Sequence, residues 1–474
     1  MHAQSSTHHD HEATIVPDPR RWRALAVLAV AQFMLILDIT VVTVALPDIG
    51  GDLDLSRAAA TWVVTAYTLL FGGLMIFGGR AADLFGARRM VMAGLVVFTA
   101  SSLLAGLAVT APMLVGGRVG QGIGAALLSP AAMSIVTTTF HGAERNKALG
   151  VWGALGGTGA AVGVLVGGLL TAGPGWSWIF FVNVPVGVLL LGLTPRMVPQ
   201  PPMRQAGGID VLGAVLATTA TGAAIYGLIN AGDEGWGDSA TWIPLLAASV
   251  LYAVFIAYES ITARPLLDPR LLVRRPVAAG AVLMLVATGL LITGFFLGSF
   301  YLQQAQGKSA LVTGLLFVPV ALGTIVGAHN AGHVISRFGY RPVGVAGLVV
   351  AAAGAAVPAL WSGIPGLIVG LTIAAAGQGA VIVTATTTAL ANIDHSQAGV
   401  TSGLVNTFHE VGSALGVAVI STIAAVSLRT LGTETSGFTH AFTFSAVTAL
   451  VVAIAAAALV PAGRPPAGLR VSAH

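Results

Sequence analysis

Fourteen apolar stretches, separated by short segments rich in Pro, Gly and charge, run from about residue 23 to residue 460 and leave this chain few ways to fold. A helix needs about 20 apolar residues to cross about 30 Å of hydrocarbon. Inside lipid only helices and closed barrels satisfy their own backbone hydrogen bonds. The stretches begin near residues 24, 60, 89, 111, 147, 177, 208, 240, 276, 310, 341, 366, 397 and 438, each long enough for one crossing. Charged residues make up 8% of the chain and hydrophobic residues 55%; a soluble domain carries roughly 25% charged residues. No water-soluble core encloses that much apolar surface, so the sequence predicts an all-α polytopic membrane protein of fourteen transmembrane helices.

The charges are sorted by side. The two terminal segments and alternate loops carry 18 of the Arg and Lys residues, including Arg20, Arg21, Arg23, Lys147, Arg196, Arg274, Arg275 and Arg337, whereas the opposite loops carry only Arg57, Lys308 and Arg429. Eighteen against three marks the first side as cytoplasmic, with both termini there. The first 19 residues, with His2, His8, His9 and His11, have the composition of a disordered tail rather than of a metal site. Arg20, Arg21 and Arg23 lead straight into a span longer than a secretory apolar region, which predicts an uncleaved anchor. No basic patch interleaved with aromatics suggests nucleic acid. The absence of cysteine excludes disulfides, thiolate metal sites and cysteine nucleophiles, and neither a cofactor nor a metal is expected.

A repeat crosses the chain. Gly79, Phe85, Gly86 and Arg88 recur 253 residues later as Gly332, Phe338, Gly339 and Arg341. That offset equals eight helices, the signature of a duplicated six-helix bundle with one extra helix pair between the copies; parallel repeats of this kind occur in transporters. The expected organisation is a disordered tail over 1–19, a first bundle over 20–196, an inserted pair over 206–262, a second bundle over 276–460 and a tail over 461–474.

The run Gly79-Arg80-Ala81-Ala82-Asp83-Leu84-Phe85-Gly86-Ala87-Arg88-Arg89 resembles the loop signature between spans two and three of the major facilitator superfamily. Three more stretches are similar to its fourteen-spanner drug:proton antiporter branch: Leu37-Asp38-Ile39-Thr40-Val41-Val42 through Ala45-Leu46-Pro47, Arg118-Val119-Gly120-Gln121-Gly122-Ile123-Gly124, and Trp178-Ile179-Phe180-Phe181-Val182-Asn183-Val184-Pro185-Val186-Gly187. The resemblance extends over about residues 20 to 460. It implies a monomer in a bacterial plasma membrane that exports amphipathic, cationic or aromatic drugs or antibiotics in exchange for protons, by alternating access around a midplane cavity. A dedicated exporter of one metabolite, siderophore or lipid is the nearer alternative, and a transport-dead sensor or scaffold the more distant one. Val164 stands where the antiporter signature has a proline after Gly163, so the kink associated with tight proton exchange is absent from the sequence.

Candidate site residues follow from buried polarity. Asp38 lies about 14 residues into the first span, and a bare carboxylate at that depth must face a cavity, find a partner or hold a proton. Burial disfavours its charged form, as a reversible proton carrier requires, and the resemblance puts the essential acid in this motif. Arg118, at nearly the same depth on the fourth span, is placed to meet it and to oppose that effect. Ser402, Asn406, His409, Glu410 and Ser413 share one helical face. His409 and Glu410 are titratable groups where related chains commonly carry Arg-Gln, so they are a candidate second protonation or cation-recognition site, or an interhelical hydrogen-bond cluster. Gly79, Asp83, Gly86, Arg88 and Arg89 form a candidate gate, the acid accepting at a helix end and the arginines bridging to acids across the seam. Trp62, Tyr67, Phe71, Gln121, Phe295, Phe296, Tyr301, Gln303, Gln378 and Asn406 are nominated as cavity lining by spacing and polarity.

Other features carry blander expectations. Gly153, Gly156, Gly157, Gly159, Gly163, Gly167 and Gly168 give the fifth span a face on which helices approach closely. Gly307-Lys308-Ser309 lacks the first glycine of a phosphate loop, and His329 with His333 is no metal site. Asp210, Glu259 and Asp268 are expected to be solvated at interfacial ends, and Asp233, Glu234 and Asp238 to sit in a plain loop.

Overall fold

The computed structural model describes residues 20–140, 142–200, 210–262, 265–267, 269–391, 398–430 and 434–463. The expected tails, save residues 461–463, and Asp268 lie outside them. Among the described residues there is no strand. The first unit comprises α1 (Arg21–Asp52), α2 (Arg57–Phe85), α3 (Ala87–Gly106), α4 (Ala111–Thr139), α5 (Gly142–Ala172) and a sixth crossing built from α6 (Trp178–Phe181) and α7 (Asn183–Met197). An inserted pair follows, α8 (Val211–Asp233) and α9 (Ser239–Ile261), and then a short α10 (Pro269–Val273). The second unit comprises α11 (Arg275–Phe300), which continues as a π-helical turn over Tyr301–Ala305, then α12 (Ala310–Phe338), α13 (Tyr340–Leu360), α14 (Ile364–Ala389), α15 (Ala398–Ile423) with α16 (Ala425–Arg429), and α17 (Ser436–Leu459).

Among the described residues 13 helical segments are long and apolar enough to cross a membrane. The fourteenth expected crossing is α5, whose 31 residues span about 46 Å at 1.5 Å per residue and include an apolar stretch over Ala161–Ala172. Local chemistry sets the ends. Ser56, Thr110 and Ser309 cap α2, α4 and α12 by accepting from backbone N–H groups three residues on. The repeated glycines Gly86 and Gly339 end α2 and α12 with φ of 94° and 90°, a conformation that glycine takes without strain. That requirement explains why the motif keeps a glycine at both places.

Packing repeats as well. In the first unit α2 lies on α4, with Gly78 over the Ala126 carbonyl and Gly122 over the Tyr67 carbonyl; in the second α12 lies on α14, with Gly327 over the Ala376 carbonyl and Gly379 over the Thr324 carbonyl. The pairs α3 with α4 and α1 with α5 recur as α13 with α14 and α11 with α15. Close backbone approach through glycine is how helices associate where lipid removes the hydrophobic drive. On α5, Gly159, Gly163 and Gly167 pack against Ile36, Thr40 and Val41 of α1, and Gly168 meets Ala310 of α12. The Val164 carbonyl takes the close approach of Gly314, so α5 and α12 meet through backbone at the position where the related signature has proline. The side-chain surroundings of Gly153, Gly156 and Gly157 lie outside the described set.

The two units are apposed away from the arginine-rich face. There Arg57 on α2 reaches Ser421 on α15, Gln303 donates to the Val44 carbonyl of α1 at 2.7 Å, and α5 meets α12. On the arginine-rich face Gly150, Gly332 and Gly403 have open space where a Cβ would stand. On the polar stripe of α15 Ser402 and His409 are half-buried, Asn406 is exposed, and Glu410 and Ser413 are buried.

The structure corrects two expectations about interfacial acids. Asp210 and Glu259 are buried rather than solvated. Asp210 caps α8 by accepting from Gly213 N at 2.8 Å, and Glu259 accepts from Leu267 N at 2.9 Å, so the pair ties the base of α8 and α9 to the segment leading into the second unit. Nor are the acids at the end of α8 and the start of α9 a plain loop: Asp233 closes α8 and is ion-paired with Arg57, and Asp238 caps α9.

Candidate functional site

Five helices converge on Asp38. It stands 17 residues into α1, about 26 Å along a 32-residue helix, and both it and Arg118 are 1% exposed. Arg118 Nη1 on α4 forms an ion pair with Asp38 Oδ2. Asp38 Oδ1 accepts from Gln121 Nε2 at 2.9 Å and from Asn183 Nδ2 of α7 at 3.2 Å. Gln121 Nε2 also donates to Ser102 Oγ of α3 at 2.7 Å, and its Oε1 accepts from Arg118 at 2.8 Å. Arg118 Nε donates to the Val63 carbonyl of α2 at 2.9 Å, and the guanidinium lies 4.4 Å from the Tyr67 ring centre. All three side chains around Asp38 donate to it, which is the role of an ionised carboxylate.

This arrangement has a definite chemical capacity. A buried ion pair holds only while both charges remain, and removing one leaves the other uncompensated. A proton on Asp38 and the Arg118 guanidinium therefore compete for the same oxygens. If Asp38 is neutralised, Arg118 still has the Val63 carbonyl, Gln121 and the Tyr67 face, so the cation has somewhere to remain.

The second constellation sits across the seam. His409 Nδ1 is 3.1 Å from Glu410 Oε1, and Glu410 Oε2 is buried without a hydrogen-bond partner among the described residues. Ser413 donates to the His409 carbonyl at 2.9 Å. Tyr67 lies within electrostatic reach of both Asp38 and Glu410, one acid from each unit. Its hydroxyl donates to the Leu35 carbonyl at 3.2 Å.

The nominated lining residues separate into several places. Tyr67 and Gln121 belong to the Asp38 network, and Phe71 packs 5.7 Å from Tyr67, ring centre to ring centre. Phe295 and Phe296 are buried in aromatic packing with Phe317 and Phe300, while Gln378 is buried on α14. Trp62 packs at the junction of α2, α8 and α15, away from the seam's centre. Tyr301 stands at the start of the π-helical turn, accepts from Gly363 N at 3.3 Å and packs on Phe438. Gln303 spends its amide on the first unit, and Asn406 is exposed. An apolar crevice of about 670 Å³ lies elsewhere, between α8, α15 and α17, with Trp236, His440 and Phe444 in its wall.

The gating motif makes different contacts from those the sequence suggested. Arg88 donates to the Val198 carbonyl at 3.4 Å and to Gln200 at 3.0 Å, and its repeat partner Arg341 donates to the Val460 carbonyl at 2.8 Å. Val198 and Val460 are the C-cap residues of α7 and α17, the last helices of the two units. Each motif arginine thus caps a carbonyl end within its own unit instead of bridging to an acid across the seam, a favourable place for a cation. Neither Asp83 nor Arg89 has an ion-pair partner among the described residues. On this face Arg21 is ion-paired with Glu144 at 2.8 Å, joining α1 to α5.

Ser102 and Asn183 had no assigned role at the sequence level. Both are small polar residues in apolar spans, a signal too common to stand out, and only the convergence of α3 and α7 on Asp38 brings them together.

Comparison with known proteins gives this geometry its context. The profile of the Major Facilitator Superfamily matches residues 28–417 and 279–473. The chain is 36% identical over 470 residues to the puromycin resistance protein pur8 of Streptomyces alboniger, covering 94% of this chain and 92% of that one. It is 35% identical to the cephamycin export protein CmcT of Amycolatopsis lactamdurans, covering 95% of each. A crystal structure of a POT family transporter in complex with 5-aminolevulinic acid superposes with a TM-score of 0.68 at 14% identity, over 93% of this chain and 96% of that one. A bacterial homologue of the human lysosomal transporter Spinster gives 0.63 at 20% identity, over 94% and 97%.

Proposed function

The chain belongs to the Major Facilitator Superfamily and is a multi-pass membrane transporter, not an enzyme; from that premise we propose that it exports amphipathic drugs or antibiotics from a bacterial cytoplasm in exchange for protons. Drug and antibiotic export is supported by the names its relatives carry, among them a puromycin resistance protein and a cephamycin export protein. Proton coupling rests on one observation: a fully buried carboxylate, Asp38, whose only cationic partner among the described residues is an equally buried arginine. The arginine-rich face is cytoplasmic in this reading, so both ends of the chain lie inside and the apposed ends of the two units face outward.

The cycle follows from competition at Asp38. A proton arriving from outside displaces Arg118 from the carboxylate and lets the units rock; release of that proton to the cytoplasm restores the pair. Glu410, buried with a free oxygen beside His409, is the second site, protonated or holding a cationic substrate group. The gating motif steadies each unit through the caps at Val198 and Val460 while the units move.

Inverted vesicles energised to an acid interior test this directly. Adding a transported compound raises lumenal pH with the wild-type chain and leaves it unchanged with Asp38→Asn; a proton efflux equal in both removes Asp38 from the coupling step. A dedicated exporter of one metabolite is the second reading, favoured by relatives whose names each specify a single compound. Growth-inhibition panels against metabolite profiling of a deletion strain separate the two.

A further inference from the structure

On α2 the residues Arg57, Thr61, Thr65, Thr68 and Gly72 are spaced 4, 4, 3 and 4 apart and form one stripe, with α15 met at both ends: Arg57 at Ser421 and Gly72 at Glu410. The three threonines are fully buried, yet each turns its hydroxyl back on its own helix, Thr61 to the Arg57 carbonyl, Thr65 to the Thr61 carbonyl and Thr68 to the Val64 carbonyl. Ser413 and Ser421 of α15 likewise donate within α15. Parting α2 from α15 along this stretch breaks none of these bonds.

Arg57 alone in that stripe makes its bonds outside α2. Its side chain is 2% exposed, and it is held by groups from both other parts of the molecule. Nε donates to Asp233 Oδ1 of α8 at 2.9 Å, Nη2 to the Ile229 carbonyl of α8, and Nη1 to Ser421 Oγ of α15 at 3.1 Å. The inserted pair is itself fixed to the second unit here: Thr422 donates to the Leu228 carbonyl and Arg429 to the Asp233 carbonyl at 3.3 Å. Gly232 permits the approach, since a Cβ there would stand 2.8 Å from Arg57 Cζ and 2.9 Å from Thr422 Cα.

We propose that the inserted helix pair fastens the outer end of the seam between the two units, with Arg57 as the positioning residue that must be released before the transporter opens to the outside. The buried guanidinium is satisfied only when α2, α8 and α15 are together, so the closed outer side is the state it favours. This inference rests on the alternating-access part of the proposed function and on neither its proton nor its substrate part.

The chain contains no cysteine, so a single Thr65→Cys reporter can be placed without other changes. The experiment measures its labelling by a membrane-impermeant maleimide added outside intact cells, with no substrate and no imposed gradient. Arg57→Gln and Asp233→Asn are each expected to raise the labelling rate roughly tenfold by removing one partner of the ion pair that holds the buried guanidinium, and Gly232→Leu to do the same by forcing α8 away. Labelling of the two charge variants at the reporter's own rate overturns the proposal. Should Arg57→Gln fail to reach the membrane, the near-isosteric change at half-exposed Asp233 decides the question alone. Drug-driven proton movement is absent from the assay, so this result and that of the vesicle experiment are independent.

Discussion

Gly72 of α2 and Glu410 of α15 meet across the seam so closely that a Cβ on the glycine would stand 2.5 Å from the Cβ of the acid. The missing side chain on the first unit thus lets the backbone of α15 at Glu410 approach α2 closely. Gly72→Ala is expected to lose about 1–3 kcal/mol of stability through overpacking, measured by thermal unfolding in detergent.

Glu410→Gln keeps the volume and removes the titration. Export by this variant is expected to continue with an altered pH dependence or a narrower range of cationic substrates, read from dye efflux across a pH series. Unchanged transport at every pH would return His409 and Glu410 to a purely structural hydrogen-bond role.

Asp38→Asn is expected to abolish export and also to destabilise the protein by about 3–5 kcal/mol, because Arg118, though still hydrogen-bonded, is left buried without a counter-charge. The double variant Asp38→Asn with Arg118→Gln is expected to recover much of that stability and none of the transport. Dye efflux together with thermal unfolding separates the two effects; export at the wild-type rate by the single variant removes Asp38 from the mechanism.

Arg88→Ala and Arg341→Ala each remove a cation from the carbonyl end of the last helix of a unit. Each is expected to lower stability by about 0.3–1 kcal/mol, with the two losses additive because the sites share no partner. A loss confined to Arg88→Ala would break the equivalence of the repeats.

Hydrogen bonds from Arg21 hold the Glu144 carboxyl below its ordinary value of 4.5. A carboxyl lowered in the folded state contributes above its unfolded value and ceases to contribute as pH falls through the folded value. Wild type is therefore expected to exceed Glu144→Gln in thermal stability at neutral pH, and the two curves to converge as pH drops below 4.5. Curves that stay parallel across that range would show that the clamp between α1 and α5 carries no charge-dependent stability.

Apolar stretches, charge asymmetry and the 253-residue repeat were enough to place the start of each of the fourteen crossings within five residues, because lipid permits little besides helices of a set length. The depth of Asp38 and Arg118, counted along their spans, made their meeting foreseeable. What the linear chain left open was everything decided by which helix faces which. Ser102 and Asn183 join the Asp38 network, Arg88 caps its own unit, and Arg57 finds Asp233 and Ser421, partners 176 and 364 residues away in sequence. A periodic pattern gives the face of a helix but not its neighbour. Among helices apolar on every side, glycine-to-backbone approaches such as Gly78 on Ala126 choose the neighbour, and those are settled only in three dimensions.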